Sequence, residues 1–200
     1  MKDERSAKPH DPRRTLLLLL VAWSLALAPM SGRTLGIGVD SLVRPDPAMS
    51  WIASMVSDTE PGERIVVSGT VYAADGVSPL AGVLLYFYQT DAKGRYSIIK
   101  GDRTPRLRAW LRTNGEGKYE LRTVKPAPYP GRTLPAHIHV QATPPEKPGQ
   151  WVDEFLFEGD PFIKESEAAT YAGLGRFSPM LKITAHPGAA GRSRHDIRLK

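Results

Sequence analysis

A chain of 200 residues with 41% hydrophobic content is long enough for one packed domain with appendages. Its 18 glycines and 18 prolines argue for a turn-rich β protein and against a helix bundle. The absence of cysteine excludes disulfides, a lipoprotein anchor and thiolate metal sites, and a net charge of +6 without a basic run interleaved with aromatics excludes a nucleic-acid partner.

Residues 1–32 read as a targeting leader. Lys2, Arg5, Lys8, Arg13 and Arg14 form a basic start, and TLLLLLVAWSLALA (Thr15–Ala28) is an apolar run of signal-peptide length. It falls short of the roughly 20 residues a membrane span needs. Ala26–Ala28 fits a small-residue cleavage pattern, but Pro29 hinders a cut there; cleavage after Ser31 or Gly32 and retention as an anchor both stay open. Arg13 and Arg14 weakly resemble a twin-arginine signal, so the expected destination is periplasmic or extracellular, by an ordinary secretory or a twin-arginine-like route. Contact with a membrane is expected only through this leader.

Residues 33–60 read as an irregular linker, and 61–200 as a single all-β sandwich with long loops. Short alternating runs recur every 8–12 residues between turn signals, which is sandwich spacing. The expected strands are Arg64–Ala73, Ala81–Thr90, Arg108–Thr113, Lys118–Val124, Ala136–Thr143 and Trp151–Gly159. NGEG (Asn114–Gly117) is expected to make a hairpin of the two strands around it. Residues 161–171 suggest one short helical turn, and RFSPMLKITA and RHDIRLK close the sheet.

The chemistry-bearing stretch is PAPYPGRTLPAHIHV, residues 126–140. In a strand, residues i and i+2 share a face, about 6.6 Å apart. His137 and His139 therefore project together, with Ile138 on the opposite side. They suit adjacent positions on one metal, or they are two surface histidines on an exposed face. Tyr129 sits in a loop stiffened by Pro126, Pro128 and Pro130, which would hold its phenol at low entropic cost. It is either a hard anionic oxygen donor or a packed aromatic. As a donor beside two imidazoles it favours Fe(III) over softer metals.

Three blocks resemble the intradiol ring-cleaving dioxygenases, the protocatechuate 3,4-dioxygenase and catechol 1,2-dioxygenase family. They are VSGTVYAADGVSPLAGVLLYFYQTDAKGRY, RTNGEGKYELRTVKPAPYP, and PAHIHV followed by FLFEGDP, in the family's order and spacing over roughly half the chain. The resemblance implies a prealbumin-like sandwich core. It also implies one non-haem Fe(III) held by Tyr96, Tyr129, His137 and His139, with Tyr129 the axial ligand that takes up substrate protons. The implied reaction inserts dioxygen between the two hydroxylated carbons of a catechol, giving a muconate-type diacid without organic cofactor or external reductant. The implied partners are a catechol-type substrate and O2; a homo-oligomer is compatible, although all four ligands lie in one chain.

The chain departs from the pattern in three places. The family's arginine three residues before the first histidine is Leu134, which removes a charge of the kind that stabilises developing anions; Arg132 is the substitute candidate from the same loop. Glu154 stands where the protocatechuate branch has glutamine. Its carboxylate would repel a catecholate, hydrogen-bond a histidine, or face water. Tyr86 replaces a glutamate and Tyr88 a tryptophan. Leu134 gives weight to an alternative, an iron-binding β-sandwich without turnover. A metal-free prealbumin-like or carbohydrate-binding sandwich is a second alternative that leaves the Tyr/Tyr/His/His set as coincidence.

Overall fold

Alternating burial along β-branched and aromatic runs builds two six-stranded sheets whose apolar faces meet. The computed structural model describes residues 48–200 except Lys100 and Arg103; the expected leader and residues 33–47 of the expected linker lie outside the described residues. The strands are β1 (Ile52–Ser54), β2 (Arg64–Tyr72), β3 (Leu84–Gln89), β4 (Leu107–Arg112), β5 (Lys118–Val124), β6 (His137–Thr143), β7 (Gln150–Trp151), β8 (Phe155–Phe157), β9 (Met180–Leu181), β10 (Thr184–His186), β11 (Ala189–Arg194) and β12 (Ile197–Arg198). One sheet runs β1-β5-β2-β11-β10 with β12 also beside β2; the other runs β4-β3-β6-β8-β9 with β7 beside β6. The architecture is the expected β-sandwich.

The core lies between the sheets. Val67, Tyr119 and Leu121 come from one, and Leu85, Phe87, Ile138, Val140 and Phe155 from the other, all buried. The Phe87 ring lies 5.9 Å from that of Tyr119 and 6.0 Å from that of Phe155. Strands β11 and β12 both run parallel to β2. Their junction is tight: the Thr70 amide donates to Asp196 Oδ1 at 3.0 Å, and the Tyr119 hydroxyl to the His195 carbonyl at 2.8 Å. Gly69 faces that carbonyl so closely that a Cβ there would lie 1.7 Å from its oxygen.

Four local expectations need correction. The Asn114–Gly117 turn closes, with the Gly117 amide donating to the Asn114 carbonyl at 2.9 Å, but it does not join a hairpin. Strand β4 pairs with β3 and β5 with β2, so this turn crosses between the sheets. An alternating strand buries one face equally well beside its neighbour or across the core, and periodicity does not separate the two cases. The run 151–159 is two strands, because residues 153–154 leave the ladder between β7 and β8, after the Val152 amide has donated to the Val140 carbonyl at 3.1 Å. The suggested helical turn is a full helix, α1 (Glu165–Ala172), whose Glu167 carboxylate accepts the Lys164 amide at 3.1 Å. Within the expected linker, Ile52–Ser54 pairs in parallel with β5. No helix among the described residues is long and apolar enough to cross a membrane.

Candidate metal centre

Strand β6 turns Ile138 and Val140 into the core, which puts His137 and His139 on the outer face of its sheet. Two loops cover that face. One joins β3 to β4 and carries Tyr96; the other joins β5 to β6 and carries Tyr129. They are stitched together at their bases. Thr90 Oγ1 donates to the Ala127 carbonyl at 2.8 Å, and the Ala127 amide to the Asp91 carbonyl at 3.1 Å. Asp91 is buried and folds its own loop, its Oδ1 accepting the Lys93 and Arg95 amides at 2.8 and 3.0 Å. Gly94, at φ +75°, lets this turn lie against the Pro128 carbonyl, where a Cβ would come within 2.0 Å of the oxygen.

The result is a convergent donor set. Tyr96 Oη lies 2.5 Å from Tyr129 Oη and 2.7 Å from His139 Nε2. Tyr129 Oη lies 3.2 Å from His137 Nε2 and 3.5 Å from His139 Nε2, and the two Nε2 atoms are 3.1 Å apart. All four side chains are half-buried. Each imidazole is oriented from behind. His137 Nδ1 donates to the Pro135 carbonyl at 2.8 Å, and His139 Nδ1 to Glu154 Oε1 at 2.7 Å. A proton committed to Nδ1 leaves the Nε2 lone pair facing the phenols. Tyr88, opposite His139 across the ladder, stacks on its ring at 4.3 Å and 19°.

The electrostatics fit a cation at the centre of this set. Burial, and then the hydrogen bond with Tyr129, push the Tyr96 phenol well above the usual tyrosine range. Two phenolates at 2.5 Å cannot both be ionised unless positive charge lies between them. Two hard oxygens and two imidazoles, with cysteine absent, are a donor set for a trivalent ion such as Fe(III). His137, His139 and Glu154 also form a group with ligand atoms within 4.8 Å. Glu154, however, meets His139 at Nδ1, on the side of the ring away from the phenols, and there it orients the imidazole. The His139 hydrogen bond holds the Glu154 carboxyl below the usual carboxylate range, so it is ionised at neutral pH. Of the three fates weighed for Glu154, the structure shows the hydrogen bond to histidine. Burial pushes the Tyr88 phenol up to about 12.

Of the sequence-expected residues, Tyr96, Tyr129, His137 and His139 are brought together. Arg132 is not; it is exposed, and its hydrogen bond in this loop is from its backbone amide to the Tyr129 carbonyl, 3.1 Å. Arg106, at the end of the loop that carries Tyr96, is held by Glu60 at 2.6 and 2.8 Å. Leu134 is 53% exposed and lines an open cavity of about 530 Å³. That cavity adjoins the two histidines on the outer face of their sheet: Leu156 in its wall pairs with His137, and Pro135 and Glu154, which orient the imidazoles through Nδ1, are also part of it. Sequence reasoning missed the Pro135 carbonyl, which no residue type announces, and the stacking role of Tyr88, which depends on the β3–β6 register.

Comparison with known proteins points to one family. A family model described as dioxygenase matches residues 46–199. The chain is 34% identical over 196 residues to the protocatechuate 3,4-dioxygenase beta chain of Burkholderia cepacia, covering 88% of this chain and 79% of that one. It is 32% identical over 146 residues to catechol 1,2-dioxygenase 2 of Acinetobacter lwoffii, covering 64% of this chain and 52% of that one, so it spans about half that relative's length. Among solved structures it is similar to the dioxygenase domain of a dioxygenase–carbohydrate-binding protein fusion from Streptomyces sp. SirexAA-E. The TM-score is 0.55 at 28% identity, covering 79% of this chain and 92% of that one.

Proposed function

The chain belongs to the intradiol ring-cleaving dioxygenases, and on that premise we propose that it is a non-haem Fe(III) enzyme cleaving a catechol-type ring between its two hydroxylated carbons with O2. The observation that carries the proposal is the convergence of Tyr96, Tyr129, His137 and His139, with neighbouring donor atoms 2.5–3.5 Å apart and both imidazoles oriented through Nδ1. When bound, ferric iron would supply the charge that keeps phenols and catechol ionised and would draw electron density from the ring, opening it to dioxygen.

The chain's own residues do the rest. Tyr129 Oη, beside Tyr96 Oη and His137 Nε2, is placed to accept a proton from an incoming catechol hydroxyl. Glu154 and the Pro135 carbonyl keep each imidazole in one tautomer, and Tyr88 fixes the plane of His139. Oxygen uptake by iron-loaded protein against a panel of catechols tests the proposal, with Tyr129→Phe as control. Uptake with ring-opened diacid as product is expected; a colourless iron-loaded protein that takes up no oxygen refutes it.

One feature favours a second reading, iron binding without turnover. Leu134 supplies no charge where the family has arginine, and Arg132 is exposed. If Leu134→Arg creates turnover in a protein that otherwise only binds iron, the second reading holds for the natural chain. Export through residues 1–32 is part of the proposal, supported by their basic and apolar halves. N-terminal sequencing of the product outside the cytoplasm tests it.

A further inference from the structure

The cavity beside the donors has a particular composition, and it bears on which catechols fit. Its volume of about 530 Å³ lies in the range of about 300–1,000 Å³ typical of small-molecule sites. One part of its wall is apolar: Leu134, Leu156, Phe162, Ile163 and Tyr171. Leu134 and Phe162 are large hydrophobic side chains left 53% and 37% exposed, so the wall has apolar area still to bury. Another part is acidic. Asp153, Glu154 and Glu167 line it, against the single ammonium of Lys164. The start of α1, which borders the cavity, is no anion site, because Glu165 and Glu167 occupy its first turn and the Glu167 carboxylate takes the Lys164 amide at 3.1 Å.

We propose that this wall selects catechols whose ring substituent carries no negative charge, accepting alkyl and ammonium-bearing rings and rejecting carboxylated ones. The inference rests on the dioxygenase reading above and deepens it. A catechol whose two oxygens approach the donors presents its ring to the cavity, because Leu156 of the cavity wall pairs with His137 across the β6–β8 ladder and shares its outer face. An alkyl group there covers Leu134 and Phe162. An ammonium group gains from the three carboxylates. A carboxylate meets like charge with no arginine to pair it, Leu134 standing at the wall where a cation is expected.

Anaerobic titration of Fe(III)-loaded protein, read by the visible phenolate-to-iron band, tests this with four probes: catechol, 4-methylcatechol, 3,4-dihydroxyphenethylamine and 3,4-dihydroxybenzoate. The methyl and amine probes are expected to bind at least as tightly as catechol. The carboxylate probe is expected to bind about tenfold more weakly, the scale of one or two partly screened like charges at several ångströms. The gap should shrink in the double variant Asp153→Asn/Glu167→Gln, in which residue 167 can still accept the Lys164 amide. If that variant fails to fold, the wild-type gap must still shrink with added salt. A carboxylate probe that binds as tightly as catechol, or a gap unmoved by both salt and variant, overturns the selectivity and leaves the dioxygenase reading intact. No spectral response to catechol itself overturns both.

Discussion

Replacing Gly94 by alanine is expected to break the metal centre without touching a ligand. The new Cβ would sit 2.0 Å from the Pro128 carbonyl oxygen and 3.0 Å from both the Pro128 carbonyl carbon and Pro130 Cδ. A carbon–oxygen contact needs about 3.3 Å, so one loop must retreat by roughly 1 Å. The backbone at φ +75° adds about 1–2 kcal/mol for any residue with a Cβ. Forced separation at a buried contact costs about 1–3 kcal/mol more. The displaced carbonyl belongs to the residue before Tyr129, and the prolines on either side carry the shift into the phenol. Metal–ligand distances tolerate only about 0.2 Å, so ferric affinity should fall by about 100-fold or more. Iron titration followed by the visible band measures that loss, and urea denaturation of the metal-free protein measures the destabilisation. A Gly94→Ala protein with wild-type iron affinity and a wild-type urea midpoint would refute the claim that this glycine sets the spacing of the two tyrosine loops.

Glu154→Gln keeps the size of the side chain but removes the charge on His139 Nδ1; iron affinity should drop by about 10–100-fold while the melting temperature of the metal-free protein barely moves. Tyr119→Phe orphans the buried His195 carbonyl and should cost about 1–2 kcal/mol by chemical denaturation, with iron binding intact. His195 is 4% exposed, and burial brings its pKa down to about 4 from the ordinary 6.5. Unfolded chain therefore binds a proton that the folded chain refuses between those values. This contribution to stability is full above pH 6.5 and is lost toward pH 4, by up to about 1.4 kcal/mol per pH unit. Denaturation of the metal-free protein across that window should show the slope, and His195→Gln should flatten it; an unchanged slope counts against the assignment.

Most of the sandwich was legible because its strands alternate so cleanly. RIVVSGTVY and HIHVQAT could be little else, and their bounds in the structure differ from expectation by a residue. Partners were less legible than strands. Whether Asn114–Gly117 joins neighbours or layers depends on which edges are vacant, and that is decided by β2 and β3, far away in sequence. At the site, the period-two spacing of His137 and His139 put both on one face, and the prolines marked Tyr129 as held. Tyr96 entered only through resemblance, since nothing in GRY itself announces a ligand; its position follows from loop contacts through Thr90, Asp91 and Gly94. The cavity wall from α1 was invisible, because an exposed helix of mixed composition has no periodic signature.

The parallel pairing of β11 and β12 with β2 has a consequence for synthesis. Strand β2 leaves the ribosome early, while its partners follow more than a hundred residues later, as the 126-residue reach from Thr70 to Asp196 illustrates. Until residues 189–198 emerge, the nascent chain carries an open hydrogen-bonding edge along β2, the kind of edge that captures foreign strands. Ribosome pausing before that point would therefore favour aggregation, even with every loop of the metal centre already translated.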